Sequence, residues 1–168
     1  AIDAAATTGG TVRLLQDVAE CITISNGDIT LDLNGHTLSA SDDNSAQAAI
    51  YVEGGTLTIE DTAGNGTVST SEKDKPALRI AGGSVTLESG TILGTGDSGT
   101  VVNIEGSSAS LTVSGGAIWS NVSKSNATGM VLISEGCTLN LKGGVLSSHY
   151  LHAIRNNGGG RVTMTGGS

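Results

Sequence analysis

One short motif, with apolar and polar residues in alternation, returns six times along the chain. It reads Ile29-Thr30-Leu31-Asp32-Leu33, Thr56-Leu57-Thr58-Ile59-Glu60 and Ser84-Val85-Thr86-Leu87-Glu88. It continues as Ser110-Leu111-Thr112-Val113-Ser114, Thr138-Leu139-Asn140-Leu141-Lys142 and Arg161-Val162-Thr163-Met164-Thr165. Aligned on the first inner apolar position, the copies stand at 31, 57, 85, 111, 139 and 162, in steps of 26, 28, 26, 28 and 23 residues. Alternation with period two is the mark of a strand with one buried face.

Two further apolar columns keep the same period. One precedes the motif: Ile22/Ile24, Ile50/Val52, Leu78/Ile80, Val102/Ile104, Val131/Ile133 and Ile154. The other follows it: Leu38, Val68, Ile92, Ile118 and Val145. A small pair, such as Gly54-Gly55 or Gly82-Gly83, separates the first two strands of most copies and permits a sharp bend there. A single such unit cannot cover its own apolar side chains, whereas stacked units share one interior. A β-sandwich also has alternating strands, but it lacks a fixed period with the same small pair at the same offset. The pattern therefore predicts an all-β fold: a single-stranded right-handed parallel β-helix (β-solenoid) of about six coils, with three short strands per coil. The right hand follows the general preference of parallel crossovers.

Composition fits a narrow aliphatic interior. The 168 residues include 26 Gly, one Pro and no Phe, and aromatics make up 2%. Glycine without a three-residue period excludes collagen, and the wealth of Val, Ile and Leu argues against disorder. The formal charge of −8 repels nucleic-acid phosphates. No apolar run approaches the roughly 18 residues of a membrane span. The opening Ala1-Ile2-Asp3-Ala4-Ala5-Ala6 favours helix, so residues 1–10 are expected to form a short helical N-terminal cap on a β-helix covering 11–168. No matching cap follows Thr165, which suggests a fragment of a longer protein.

The repeat wording is itself distinctive: residues 9–18 (GGTVRLLQDV), 29–38 (ITLDLNGHTL), 57–68 (LTIEDTAGNGTV) and 83–92 (GSVTLESGTI). It resembles the β-helical repeats of large cell-wall-anchored, adhesin-like surface proteins of gut Gram-positive bacteria. The resemblance implies a non-catalytic stalk or adhesin, extracellular and wall-associated, with signal peptide and anchor outside this stretch. The implied partners are a host or microbial surface glycoprotein, a glycan or an antibody, and no catalytic residues come with the resemblance.

Residues between the apolar positions offer the candidates for chemistry. Trp119 should point outwards beside the 120–127 loop, either as a ring-stacking platform or packed beneath that loop. Tyr51, Arg79, Asn121 and Asn126 join it as candidate ligand contacts, with the 41–47 loop nearby. Glu60 and Glu88 hold equivalent positions on consecutive coils, a spacing compatible with paired-acid glycoside chemistry. A polysaccharide lyase or glycoside hydrolase is accordingly the rival to a binding module. A second alternative is ice binding through outward rows, interrupted by Ser, Asp, Asn and Arg: Thr30, Thr56, Ser84, Ser110, Thr138 and Arg161 in one and Asp32, Thr58, Thr86, Thr112, Asn140 and Thr163 in the next. No cofactor is expected beyond weak Ca²⁺ at Asp42 and Asp43, and His149 with His152 lacks further ligands for zinc. Cys21 and Cys137 fall on coils four steps apart, about 19 Å, so both are expected as free thiols.

Overall fold

The computed structural model describes residues 8–41, 47–72, 74–96, 99–122 and 129–168, and every regular element among them is a strand. The first winding comprises β1 (Gly10–Arg13), β2 (Val18–Ala19) and β3 (Ile22–Ile24), the second β4 (Asp28–Asp32), β5 (Thr37–Ser39) and β6 (Ile50–Val52). The third has β7 (Thr56–Glu60), β8 (Thr67–Thr70) and β9 (Leu78–Ile80), the fourth β10 (Ser84–Leu87), β11 (Thr91–Gly96) and β12 (Val102–Ile104). Then come β13 (Ser110–Val113), β14 (Ala117–Val122) and β15 (Gly129–Ser134), followed by β16 (Thr138–Leu141), β17 (Val145–Ser148) and β18 (His152–Asn157). A last strand, β19 (Arg161–Met164), opens one more winding.

Each strand pairs with its counterpart one winding away, always parallel. The result is three sheets: β1-β4-β7-β10-β13-β16-β19, β2-β5-β8-β11-β14-β17 and β3-β6-β9-β12-β15-β18. The molecule is a parallel β-solenoid, as the repeat predicts. Five stacking steps in the six-stranded sheets correspond to about 24 Å, and six steps in the other to about 29 Å.

Inner columns run the length of the prism. Ile29, Leu57, Val85, Leu111 and Leu139 stack in one, and Leu31, Ile59, Leu87, Val113 and Leu141 in the next, each at most 5% exposed. Leu38, Val68, Ile92 and Ile118 line the second sheet from within, all at most 2% exposed. Removing such a side chain from water is worth about 1.5–3 kcal/mol. Close stacking of turns explains the glycines. At Gly83 φ is +72°, and a Cβ there would lie 2.3 Å from the Gly55 carbonyl oxygen of the winding below.

Two positions differ from the sequence reading. Ile29, not Leu31, is in register with Leu57, so the first step is 28 residues rather than 26. Three apolar residues alternate in that segment and all are buried, and period two alone does not say which pair aligns with Leu57 and Ile59; Leu33 lies beyond the strand. The shift moves Thr30 beside Thr58 and Asp32 beside Glu60. Likewise Leu146, not Val145, aligns with Ile118, and Val145 is 45% exposed. There two adjacent apolar residues compete for one inward position. Of the helical cap expected over residues 1–10, residues 1–7 lie outside the described residues, and Gly10 already belongs to strand β1.

The inward and outward assignments make a paired prediction. Leu111→Ala should cost about 2–5 kcal/mol by urea unfolding, whereas the neighbouring Thr112→Ala should change stability by about 0.5 kcal/mol or less.

Candidate functional site

Three outward faces carry the side chains available for function, and they differ in kind. On the first sheet, the row Thr11, Thr30, Thr58, Thr86 and Thr112 crosses five successive windings before Asn140 and Thr163. Asp28, Thr56, Ser84, Ser110, Thr138 and Arg161 form the row beside it.

Beyond these rows lie the acidic residues. Leu87 is in register with Ile59, so Glu60 and Glu88 do occupy equivalent positions on neighbouring windings. Asp32 stands below Glu60 but has turned away from solvent and is fully buried. Its carboxylate accepts hydrogen bonds from Arg13 Nε at 2.7 Å and from the Asn34 N–H at 2.9 Å. The Thr62 N–H at 3.1 Å and the Thr62 hydroxyl at 2.8 Å complete the set. Burial on its own raises the carboxyl's pKa; the Thr62 N–H and hydroxyl, the Arg13 guanidinium and the Asn34 N–H outweigh it and hold the group below the ordinary carboxylate value. Asp61 performs a similar service one corner on, accepting from the N–H groups of Gly35 and Gly66, each at 2.7 Å. These two aspartates staple successive turns together. The role of Asp61 was signalled by the Asp-Thr-Ala-Gly-Asn-Gly turn it opens at 61–66, where a short acidic side chain bonds nearby backbone N–H groups, and the sequence reading passed over it.

On the third sheet the outward row is Thr23, Tyr51, Arg79, Asn103, Leu132 and Arg155. Tyr51 and Arg79 do meet: the guanidinium carbon lies 5.4 Å from the ring centroid. Arg79 is also bound to its own chain. Its Nε donates to Glu105 at 2.7 Å, its terminal nitrogens reach Glu105 and Gln47, and Asn103 donates to the other Glu105 oxygen at 2.7 Å. The cation expected to meet a ligand is thus neutralised as a clamp between windings.

On the second sheet Trp119 is in register with Leu93 below and Ser147 above. Ala117 pairs with Val145, and Asn121 with Thr95, on the same outward side. Trp119 is 52% exposed, and residues 123–127 of the adjoining 120–127 loop lie outside the described residues. The candidate contacts therefore divide between two faces, Trp119 and Asn121 on one and Tyr51 and Arg79 on the other. Asn126, Asp42 and Asp43 lie outside the described residues.

Other candidates show their surroundings plainly. The His149 ring packs against Tyr150 at 4.2 Å between centroids. Among the described residues, no group of three or more His, Cys, Asp and Glu is placed to hold a metal ion, and no helix is long and apolar enough to cross a membrane. Cys21 and Cys137 are both free, as expected. Burial pushes the Cys137 thiol up, and its Sγ donates to the Gly106 carbonyl at 2.9 Å. Near the N-terminal end of the prism a cavity of about 450 Å³ has a mixed lining, with Val12, Leu14, Val18 and Ile22 beside Arg13, Glu20 and Thr23.

The stacking order and the three faces place the chain in the class of parallel β-solenoids. Comparison with protein families, with curated proteins and with solved structures finds no match.

The stapling carboxylate sets a pH dependence. Because the folded value of Asp32 lies below the unfolded one of about 4, its contribution is complete above pH 4 and is lost as pH falls through the folded value. Asp32→Asn should lower the thermal midpoint at pH 7, and the gap from wild type should close in unfolding scans taken progressively below pH 4.

Proposed function

We propose that this chain is a non-catalytic binding module, a stiff rod that presents the outward face of its second sheet to a ligand on a cell or matrix surface. The observation that carries this reading is Trp119: a large residue, half exposed, fixed on a six-residue strand that is paired on both sides within a stacked sheet. Tryptophan is among the residues enriched at the energetic centres of recognition surfaces. The likeness of the repeats to wall-anchored surface proteins supports the same role. With it go an extracellular, wall-associated setting and a host or microbial glycoprotein, glycan or antibody as partner.

Adhesion of beads coated with the chain to epithelial layers and to bacterial cells tests the proposal. Trp119→Ala should lower adhesion by about tenfold or more, with the circular dichroism spectrum unchanged, while Tyr51→Ala should leave it nearly intact. Adhesion that is indifferent to Trp119 would defeat the reading. Turnover of a polysaccharide, lost in both Glu60→Gln and Glu88→Gln, would replace it with the enzyme alternative.

The corrected register favours one second reading. Five consecutive threonines, with Thr56, Ser84, Ser110 and Thr138 beside them, set hydroxyls and methyls about 4.8 Å apart along the stack. Such a regular array suits the surface of ice. Thermal hysteresis that disappears in Thr58→Tyr and Thr86→Tyr would establish it, and freezing-point behaviour equal to that of an inert protein would dismiss it.

A further inference from the structure

The second sheet has a property its two neighbours lack. On a chain of net charge −8, the outward side chains of β2, β5, β8, β11, β14 and β17 are all threonine, serine, alanine, leucine, valine, asparagine or tryptophan. None is charged. The first sheet's outward rows include Asp28 and Arg161, and the third sheet's include Arg79 and Arg155.

Size limits what can occupy this face. Five stacking steps give about 24 Å in one direction, and strands of two to six residues give about 7–20 Å in the other, so the face covers about 300–400 Å². A stable contact between proteins takes about 800 Å² from each partner. Half of that or less is small for a second copy of this chain and ample for a short sugar chain.

The chemistry of the face agrees. A sugar ring has an apolar C–H side and a rim of hydroxyls. The half-exposed indole of Trp119 offers a flat apolar seat, and Leu93 and Val145 continue the apolar strip on the flanking windings. Ser147, one winding on at about 4.8 Å, and Asn121, two residues along the strand at about 6.6 Å, bring a hydroxyl and an amide to the rim of that seat. An acidic sugar would find no cation among the described outward side chains of these strands and would meet the negative field of the whole chain.

We infer that the second sheet binds an uncharged oligosaccharide lying along the stack, with one ring seated on Trp119. This deepens the binding reading above and rests on it. Binding needs no ion pair, so it is insensitive to salt.

Trp119 is the only tryptophan, so intrinsic emission reports the seat directly. The full chain is titrated with cellohexaose, mannohexaose and chitohexaose, and with hexagalacturonate as the acidic probe. At least one neutral chain should shift the emission to the blue and saturate equally at low and high salt, with no response to hexagalacturonate. Affinity electrophoresis through the matching polysaccharide should show retardation weakened about tenfold or more in Trp119→Ala and partly restored in Trp119→Tyr. Preference for hexagalacturonate would overturn the uncharged class and leave the face standing. No response to any sugar, from a chain whose cell adhesion depends on Trp119, would overturn the sugar and assign the face to a protein partner. Retardation unchanged in Trp119→Ala would overturn both readings. A concentration-dependent dimer whose emission shifts without sugar would assign the face to a second copy.

Discussion

Every feature of this molecule depends on backbone pairing between windings, residue for residue, along three parallel sheets. A lone winding has a few aliphatic side chains and no partner for its backbone groups. Stacked on another, it satisfies both at once. The pairing sets a spacing of about 4.8 Å, and that spacing selects the composition. Branched aliphatics such as Ile59, Leu87 and Val113 stack at this distance with no gap, and all three are fully buried. It also selects the glycines, because at Gly82 a Cβ would come 2.2 Å from the Glu53 carbonyl oxygen of the adjacent winding. The missing phenylalanine follows from the same narrow interior.

The polar residues divide between holding the stack and facing outwards. Asp32 and Asp61 spend their carboxylate oxygens on the backbone of neighbouring turns, and Ser89 joins them by accepting the Asp61 N–H at 2.7 Å. Arg79, Glu105 and Asn103 do comparable work on the third sheet. Charge is thereby concentrated at the corners and on two faces. The second sheet is left neutral, with its one large ring exposed, and the division of labour among faces is what makes it the candidate for recognition.

Much of this was legible in the residues, since a six-fold repeat with a glycine pair at constant offset admits few folds. What was not legible came from local degeneracy. Ile29, Leu31 and Leu33 are interchangeable to period-two reasoning, and only pairing with Leu57 and Ile59 decides among them. Val145 and Leu146 are similarly equivalent until Ile118 chooses. At the candidate site, Trp119 was visible as an outward residue because Ile118 must face inwards. The role of Arg79 was not, because Glu105 lies 26 residues away and meets it only through stacking. Asp32 looked like a surface residue because it falls on the outward side of its strand, and its partners Arg13 and Thr62 lie 19 and 30 residues away and meet it only through stacking.

The stacking register is tested most directly by distances along one outward row. Spin labels placed in pairs at Thr11 with Thr112, Thr11 with Asn140 and Thr11 with Thr163 sit four, five and six windings apart. Double electron–electron resonance should return separations that grow by about 4.8 Å per winding, near 19, 24 and 29 Å between backbones. Separations that fail to grow with winding number, as in two facing antiparallel sheets, would contradict the solenoid and every outward assignment that rests on it.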